Sequence, residues 1–280
     1  MTDSLFFLIM IGFLIGTMGT LVGAGGGFLL VPLLLFTHPN MLPEEVTAVS
    51  MAVVAANAVS GTVAYAFAKR IDYRAGLLFG ACTVPGSIIG VYLVDYISLH
   101  IFKVVFGMVL ILLAVYLFRK QIIRGEKKSP PSLVVGFNQK ILMDKNGATY
   151  QYAYHTKLGI LISVLVGFIS PILGIGGGII HVPAMTEWLQ FPVYVATATS
   201  HFILAIMSMV SVCIHFMEGS YDDPVTQKML LGLCLGVIPG AQLGAFISHK
   251  INTKSIIKIL AICLLLVGIR IIFSCKIYLS

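Results

Sequence analysis

The chain has 280 residues, 58% of them hydrophobic and only 10% charged, with a mean hydropathy of +1.00. A soluble domain carries roughly 25% charged residues, so this composition reads as a polytopic helical membrane protein. It excludes a disordered chain, a nucleic-acid binder and a disulfide-stapled secreted module. The excess of 18 Lys+Arg over 11 Asp+Glu lies in loops between apolar runs, where it reports topology rather than an acidic partner.

A helix needs about 20 apolar residues to cross a bilayer. The N-terminus MTDSLFF carries Asp3 and no cation, so the first run is not read as a cleaved signal peptide. In chain order the runs are Leu5–Val22, Phe28–Phe36, Val46–Ala68, Ala75–Val94, Val104–Phe118, Leu158–Leu173, Ile179–Leu189, Val193–Phe216, Met229–Ile247 and Ile256–Ile272. Phe28–Phe36 and Ile179–Leu189 are too short to cross alone, and each directly follows a glycine cluster. Each is expected to be half of a broken or re-entrant helix, which is tolerable at membrane depth only where irregular backbone is buried in protein or lines a cavity. The one long polar stretch is Arg119–Lys157. Within it, Lys140–Tyr154 suits a β-hairpin around Asp144-Lys145-Asn146-Gly147. Cys82, Cys213, Cys234, Cys263 and Cys275 sit in or beside apolar runs with no C-x-x-C, and read as packing thiols.

The two halves repeat each other. Gly19–Pro32 (GTLVGAGGGFLLVP) matches Ser170–Pro183 (SPILGIGGGIIHVP) at an offset of 151. Ala48-Val49-Ser50 matches Ala198-Thr199-Ser200 at an offset of 150, and Pro85–Gly90 (PGSIIG) matches Pro239–Gly244 (PGAQLG) at 154. The expected organisation is a first membrane repeat over 1–118, a linker over 119–157 and a second membrane repeat over 158–280. One re-entrant hairpin plus three full crossings per half makes the halves opposite in orientation. The loops Lys69–Arg74, Arg119–Lys157 and His249–Lys258 then share one side and hold 14 of the 18 Lys/Arg. The positive-inside rule makes that side cytoplasmic and puts both termini outside. The fold class is therefore all-α and polytopic, with two inverted-topology repeats. Inverted repeats with discontinuous helices are the architecture of secondary transporters, with substrate held near the midplane.

The clusters Gly23–Gly27 and Gly174–Gly178 join the legs of the two broken helices. The short helix after each begins with unpaired N–H groups and the positive end of its dipole. Two such ends facing one another would hold an anion without a charged side chain. Gly25, Gly26, Gly27, Gly176, Gly177 and Gly178 are accordingly substrate-binding candidates. Gly232, Gly236, Gly240 and Gly244, spaced by four, read instead as a helix-packing seam.

Polar side chains at membrane depth face a cavity or a partner. Ser50 and Ser200 are repeat equivalents and candidate substrate contacts, as is Thr199; the alternative for each is a bond to its own helix carbonyl. Asn57 and Gln242 lack polar counterparts in the other half and are candidates for substrate contact or for interhelical bonds. His201 and His181 are proton-relay candidates, because a histidine changes charge near neutral pH; His215 reads as structural. No catalytic residue, metal site or cofactor is expected: the chain has no G-x-x-x-x-G-K-[ST], no H-E-x-x-H and no G-x-S-x-G.

The paired GxGGGxxxVP motifs, the A-x-S and A-T-S segments and the later PGxxxG resemble the sulfite exporter TauE/SafE family across both halves. The resemblance implies transport of sulfur-containing anions such as sulfite, sulfonates or sulfoacetate, with several members moving anions on the proton gradient. The expected partners are a small anion, the bilayer of the cell membrane and protons, with no nucleic acid; nothing in the sequence sets the oligomeric state. Two other readings stay open at this point: a passive anion channel, and a non-transport membrane partner subunit acting through Arg119–Lys157.

Overall fold

The computed structural model describes residues 4–123, 138–248, 261–262 and 264–271. Nine helices and one hairpin have defined bounds: α1 Leu5–Val22, α2 Gly27–Thr37, α3 Pro43–Phe67, α4 Tyr73–Val94, α5 Leu99–Ile123, β1 Asn138–Met143, β2 Thr149–Tyr154, α6 Thr156–Leu173, α7 Gly178–Glu187, α8 Val193–Met217 and α9 Pro224–Ile247. Of the final run, Ile256–Ile272, residues 261–262 and 264–271 are described and helical; the rest lies outside the described residues, as do Cys263 and Cys275. Cys82, Cys213 and Cys234 are free thiols.

Seven of the described helices are long and apolar enough to cross a membrane: α1, α3, α4, α5, α6, α8 and α9. At 1.5 Å per residue, α1 and α6 reach about 27 Å, close to the thickness of a bilayer core, whereas α2 and α7 reach only about 15–17 Å. Local chemistry sets several helix starts upstream of the apolar runs. Pro43 and Pro224 open α3 and α9, where a missing N–H costs nothing. The Asp72 carboxylate accepts from the amides of Arg74 and Ala75, and that of Asp223 accepts from the amide of Thr226, capping α4 and α9.

Packing pairs α1 with α9 and α6 with α4, while α3 lies against both α8 and α9, and α8 against both α3 and α4. The α1–α9 seam is built on glycine: an added Cβ at Gly12 would strike the carbonyl of Leu233, and one at Gly236 the carbonyl of Ile9. The α4–α6 seam repeats this, with Gly86 against the backbone of Phe168 and Gly167 against that of Thr83. Small residues let these backbones touch, as the four-residue spacing suggested.

The hairpin forms as expected, with Asn138 opposite Tyr154 and Met143 opposite Thr149. Its turn is organised by Asp144, whose Oδ1 accepts from the amides of Asn146 and Ala148. It is fastened to the helices at several points. The amide of Lys145 donates to Ala68 O at 3.1 Å, Arg70 Nη2 meets Asp144 Oδ2 at 3.3 Å, and the Tyr152 hydroxyl donates to Asp72 Oδ2 at 2.8 Å. Tyr152 and Tyr154 both pack on Phe191, with ring centroids 4.7 and 4.8 Å away, and the Arg70 guanidinium lies 5.4 Å from the centre of Tyr194. The hairpin thus grips the α3–α4 turn and the α7–α8 turn together.

The side chains of Arg70 and Asp144 are 8% and 2% exposed. Burial opposes ionisation of Asp144, but the amides of Ala148 and Asn146 and the Arg70 charge outweigh it and hold the carboxyl below its ordinary range. A depressed carboxyl contributes stability that is intact above the unfolded value, about 3.9, and lost as pH falls through the lower folded value. Docking of the hairpin should therefore persist to below pH 4. Asp144→Asn should break it at neutral pH, leaving Arg70 buried and unmatched at a cost of about 3 kcal/mol. Hydrogen exchange over residues 140–154 measures this; unchanged protection in the variant would contradict it.

Candidate functional site

The two glycine turns meet at the centre of the helix packing. Gly23, Gly25 and Gly26 have φ of 79°, 76° and 88°, and Gly174, Gly176 and Gly177 have 64°, 78° and 69°. Each half thus uses the same left-handed pattern, which a residue with a Cβ adopts only with strain. Gly26 and Gly177 are the N-caps of α2 and α7.

The contacts around one turn recur around the other. A Cβ at Gly27 would strike the carbonyl of Gly174, and one at Gly178 the carbonyl of Gly23. Gly26 backs onto Ile15, and Gly177 onto Val166. Val54 of α3 and Leu204 of α8 press on both Gly25 and Gly176. The space between Gly25–Gly27 and Gly176–Gly178 is therefore filled by direct contact and by this apolar pair.

Polar groups treat the two turns differently. At the first turn, Asn57 Nδ2 donates to Gly25 O at 2.8 Å, and the Thr20 hydroxyl donates to Asn57 Oδ1 at 2.6 Å. The amides of Ala24 and Gly25 both donate to Gly19 O, at 2.8 and 3.3 Å. This turn is internally satisfied. At the second turn, Met207 stands where Asn57 stands in the first half and Ser170 stands where Gly19 does. No backbone bond to Ser170 O corresponds to those at Gly19 among the described residues. The hydroxyls of Ser170 and Ser200 are buried with no hydrogen-bond partner.

A narrow crevice, too tight in this state to admit a water molecule, runs along this second turn, lined by Gly176, Gly177, Gly178, His181 and Ser200, with Val166 and Leu204 among its apolar walls. His181 is buried, and its Nε2 lies 3.3 Å from the Ser163 hydroxyl. Unpaired hydroxyls beside a helix N-terminus in an apolar enclosure can donate to an anion and have nothing else to bond.

The remaining candidates fall elsewhere. The Ser50 hydroxyl is committed to the protein: it donates to Gly174 O at 2.5 Å, closing the second turn from α3. The Thr199 hydroxyl accepts from the amide of Asp72 at 3.0 Å and ties α8 to the α3–α4 turn. His201 is fully buried but packs on Gly61 and edge-on to Tyr65, with ring centroids 5.4 Å apart. Thr197 O lies near its ring but outside hydrogen-bond geometry, so neither ring nitrogen has a partner. Gln242 Nε2 donates to Ser60 O at 2.7 Å and to Ser60 Oγ at 3.0 Å, an interhelical bond from α9 to α3.

Sequence reading missed Thr20, Ser170, Val54 and Leu204. A signal was available for three of them: Val54 and Leu204 are 150 residues apart, the repeat offset, and Ser170 is the polar residue opposite Gly19. The partnership of Thr20 with Asn57 has no such mark.

The family model described as sulfite exporter TauE/SafE matches residues 8–271. A probable membrane transporter protein, YunE, of Bacillus subtilis is 35% identical over 273 residues, covering 95% of this chain and 97% of that protein. A probable membrane transporter protein of Methanocaldococcus jannaschii is 28% identical over 261 residues, covering 88% and 87%. No solved structure matches the chain.

Proposed function

Since the chain belongs to the sulfite exporter TauE/SafE family and is a multi-pass membrane transporter, we propose that it exports small sulfur-containing anions, sulfite, sulfonates or sulfoacetate, by alternating access. The observation that carries this reading is the second glycine turn, where a helix N-terminus, the unpaired hydroxyl of Ser200 and His181 line one narrow crevice and the unpaired Ser170 hydroxyl lies beside Gly177. Dipole and hydroxyls offer a site for negative charge without a buried cation, which suits weak and reversible binding. Sulfur as the element rests on the family alone.

The inverted repeat is part of the same proposal. The exchange of partners between halves supports it: α1 packs on α9 as α6 packs on α4, and Gly27 approaches Gly174 as Gly178 approaches Gly23. The concentration of Lys/Arg in three loops supports cytoplasmic placement of the hairpin and external termini. In this arrangement Val54 and Leu204 seal the turns, and release of substrate requires one half to move against the other.

The test is flux in proteoliposomes with sulfite, sulfate, sulfoacetate, taurine, acetate and chloride, with and without a pH gradient. Saturable movement of one sulfur anion that is accelerated by counter-transport supports the proposal. Non-saturating conductance supports a passive channel, and no movement by folded protein sinks both. We assign proton coupling to His201, whose two ring nitrogens are buried and unpartnered. His201→Ala should abolish the gradient dependence; full retention of that dependence removes His201 from the mechanism.

A further inference from the structure

At the end of the bundle that carries the hairpin, a second pocket of about 400 Å³ opens between the last turn of α3, the α3–α4 turn, the hairpin tip and α9. Arg70, Lys145, Asn146 and Gln242 supply its polar lining, and Phe67 and Phe246 flank it. No carboxylate is among the lining residues.

The polar groups divide into committed and uncommitted. Gln242 is bonded to Ser60 through Nε2 and acts as a wall. The Arg70 charge is matched by Asp144, yet its Nε is buried and has no acceptor. The backbone of Lys145 is pinned to Ala68 O, which fixes the residue at the pocket while its ammonium has no acidic partner among the described residues. The side-chain amide of Asn146 is exposed at the turn beside it. One net positive charge and the Asn146 amide thus face an open volume without a carboxylate to answer them, with Arg70 in the wall.

We propose that this pocket binds a tetrahedral oxyanion, with the Lys145 ammonium providing the charge, Asn146 a hydrogen bond and Arg70 a further positive wall. The same chemistry is offered by a free phosphate or sulfate and by the headgroup of an anionic phospholipid. Phe67 and Phe246, 75% and 61% exposed, form an apolar rim that suits the chain side of a lipid. Because Lys145 and Asn146 belong to the hairpin and Arg70 to the α3–α4 turn, a bound anion bridges them and holds the hairpin down. The site is distinct from the crevice at the second glycine turn, and its occupancy is read without any transport assay.

The experiment is hydrogen exchange over residues 140–154 of the purified full-length protein. One arm titrates inorganic phosphate in neutral detergent at constant ionic strength. The other compares nanodiscs of phosphatidylcholine with and without phosphatidylglycerol. Slower exchange with phosphate in detergent supports the site and assigns a free oxyanion; slower exchange only with phosphatidylglycerol supports it and assigns a headgroup. In whichever arm responds, Lys145→Gln should weaken the effect about tenfold, and Lys145→Arg should keep it. Lys145 is exposed and its backbone bond is indifferent to the side chain, so these variants fold. No slowing in either arm, or an equal response in Lys145→Gln, overturns the proposal.

Discussion

Alanine at Gly27 or at Gly178 is expected to leave less than about a tenth of wild-type flux, although both residues lie in ordinary helical backbone and the change is one methyl group. The added Cβ at Gly27 runs into the carbonyl of Gly174, and that at Gly178 into the carbonyl of Gly23. A flexible side chain can rotate away from a new methyl; a backbone carbonyl cannot. The two turns must separate, at the roughly 1–3 kcal/mol typical of overpacking, and each 1.4 kcal/mol is a factor of ten in an equilibrium. Two other glycines calibrate the effect. Gly147 in the hairpin turn has φ of 82° but open space around it, so Gly147→Ala should lower stability by only about 1 kcal/mol and leave flux intact. Gly80→Ala meets the Cδ1 of Ile206, the far end of a side chain that can rotate away, and should be mild. Flux and thermal unfolding of the four variants in parallel check this. Retained flux in Gly27→Ala or Gly178→Ala would show that the turns do not touch during transport.

Asn57 and Ser200 should give opposite signatures, although sequence alone groups them as polar residues in the membrane. Asn57 holds Gly25 O and receives the Thr20 hydroxyl, so Asn57→Leu strands two buried groups at roughly 1–3 kcal/mol each. Its melting temperature should fall by several degrees and flux should fall with it. The Ser200 hydroxyl has no partner to lose. Ser200→Ala should leave the melting temperature unchanged or slightly raised, because removing an unsatisfied buried group relieves a desolvation cost. Its half-saturating substrate concentration should nevertheless rise about tenfold, the effect of one lost hydrogen bond to a charged ligand. A destabilised Ser200→Ala with unchanged half-saturation would make Ser200 structural.

How much of this was legible beforehand differs from residue to residue. The membrane class, the broken helices and the hairpin follow from local pattern: Leu5–Val22 is α1 to the residue, and Asp144–Gly147 carries its own turn chemistry. Helix starts that depend on caps were misjudged by counting apolar residues. α3 and α9 begin three and five residues before Val46 and Met229, at Pro43 and Pro224. The site was legible as glycine but not as geometry. Repetition of Ser50 and Ser200 suggested a symmetric pair, whereas Ser50 is occupied by Gly174 O and Ser200 is left unpaired. A second asymmetry accompanies it: Asn57 holds Gly25 O at one turn, and Met207 cannot do so at the other. Which carbonyl a side chain reaches 124 residues away is a product of packing, and no local pattern encodes it. Likewise, the charge runs mark the linker as polar, but the burial of Arg70 against Asp144 emerges only once the hairpin folds back.

The most direct test of the central claim is binding of the transported anion to purified protein, comparing wild type with the Ser170→Ala/Ser200→Ala double variant by calorimetric titration, with thermal unfolding as the control for folding. The account predicts that the double variant melts at or above the wild-type temperature and binds at least tenfold more weakly. A double variant that is equally stable and binds as tightly as wild type would place the anion away from the second glycine turn and contradict the account.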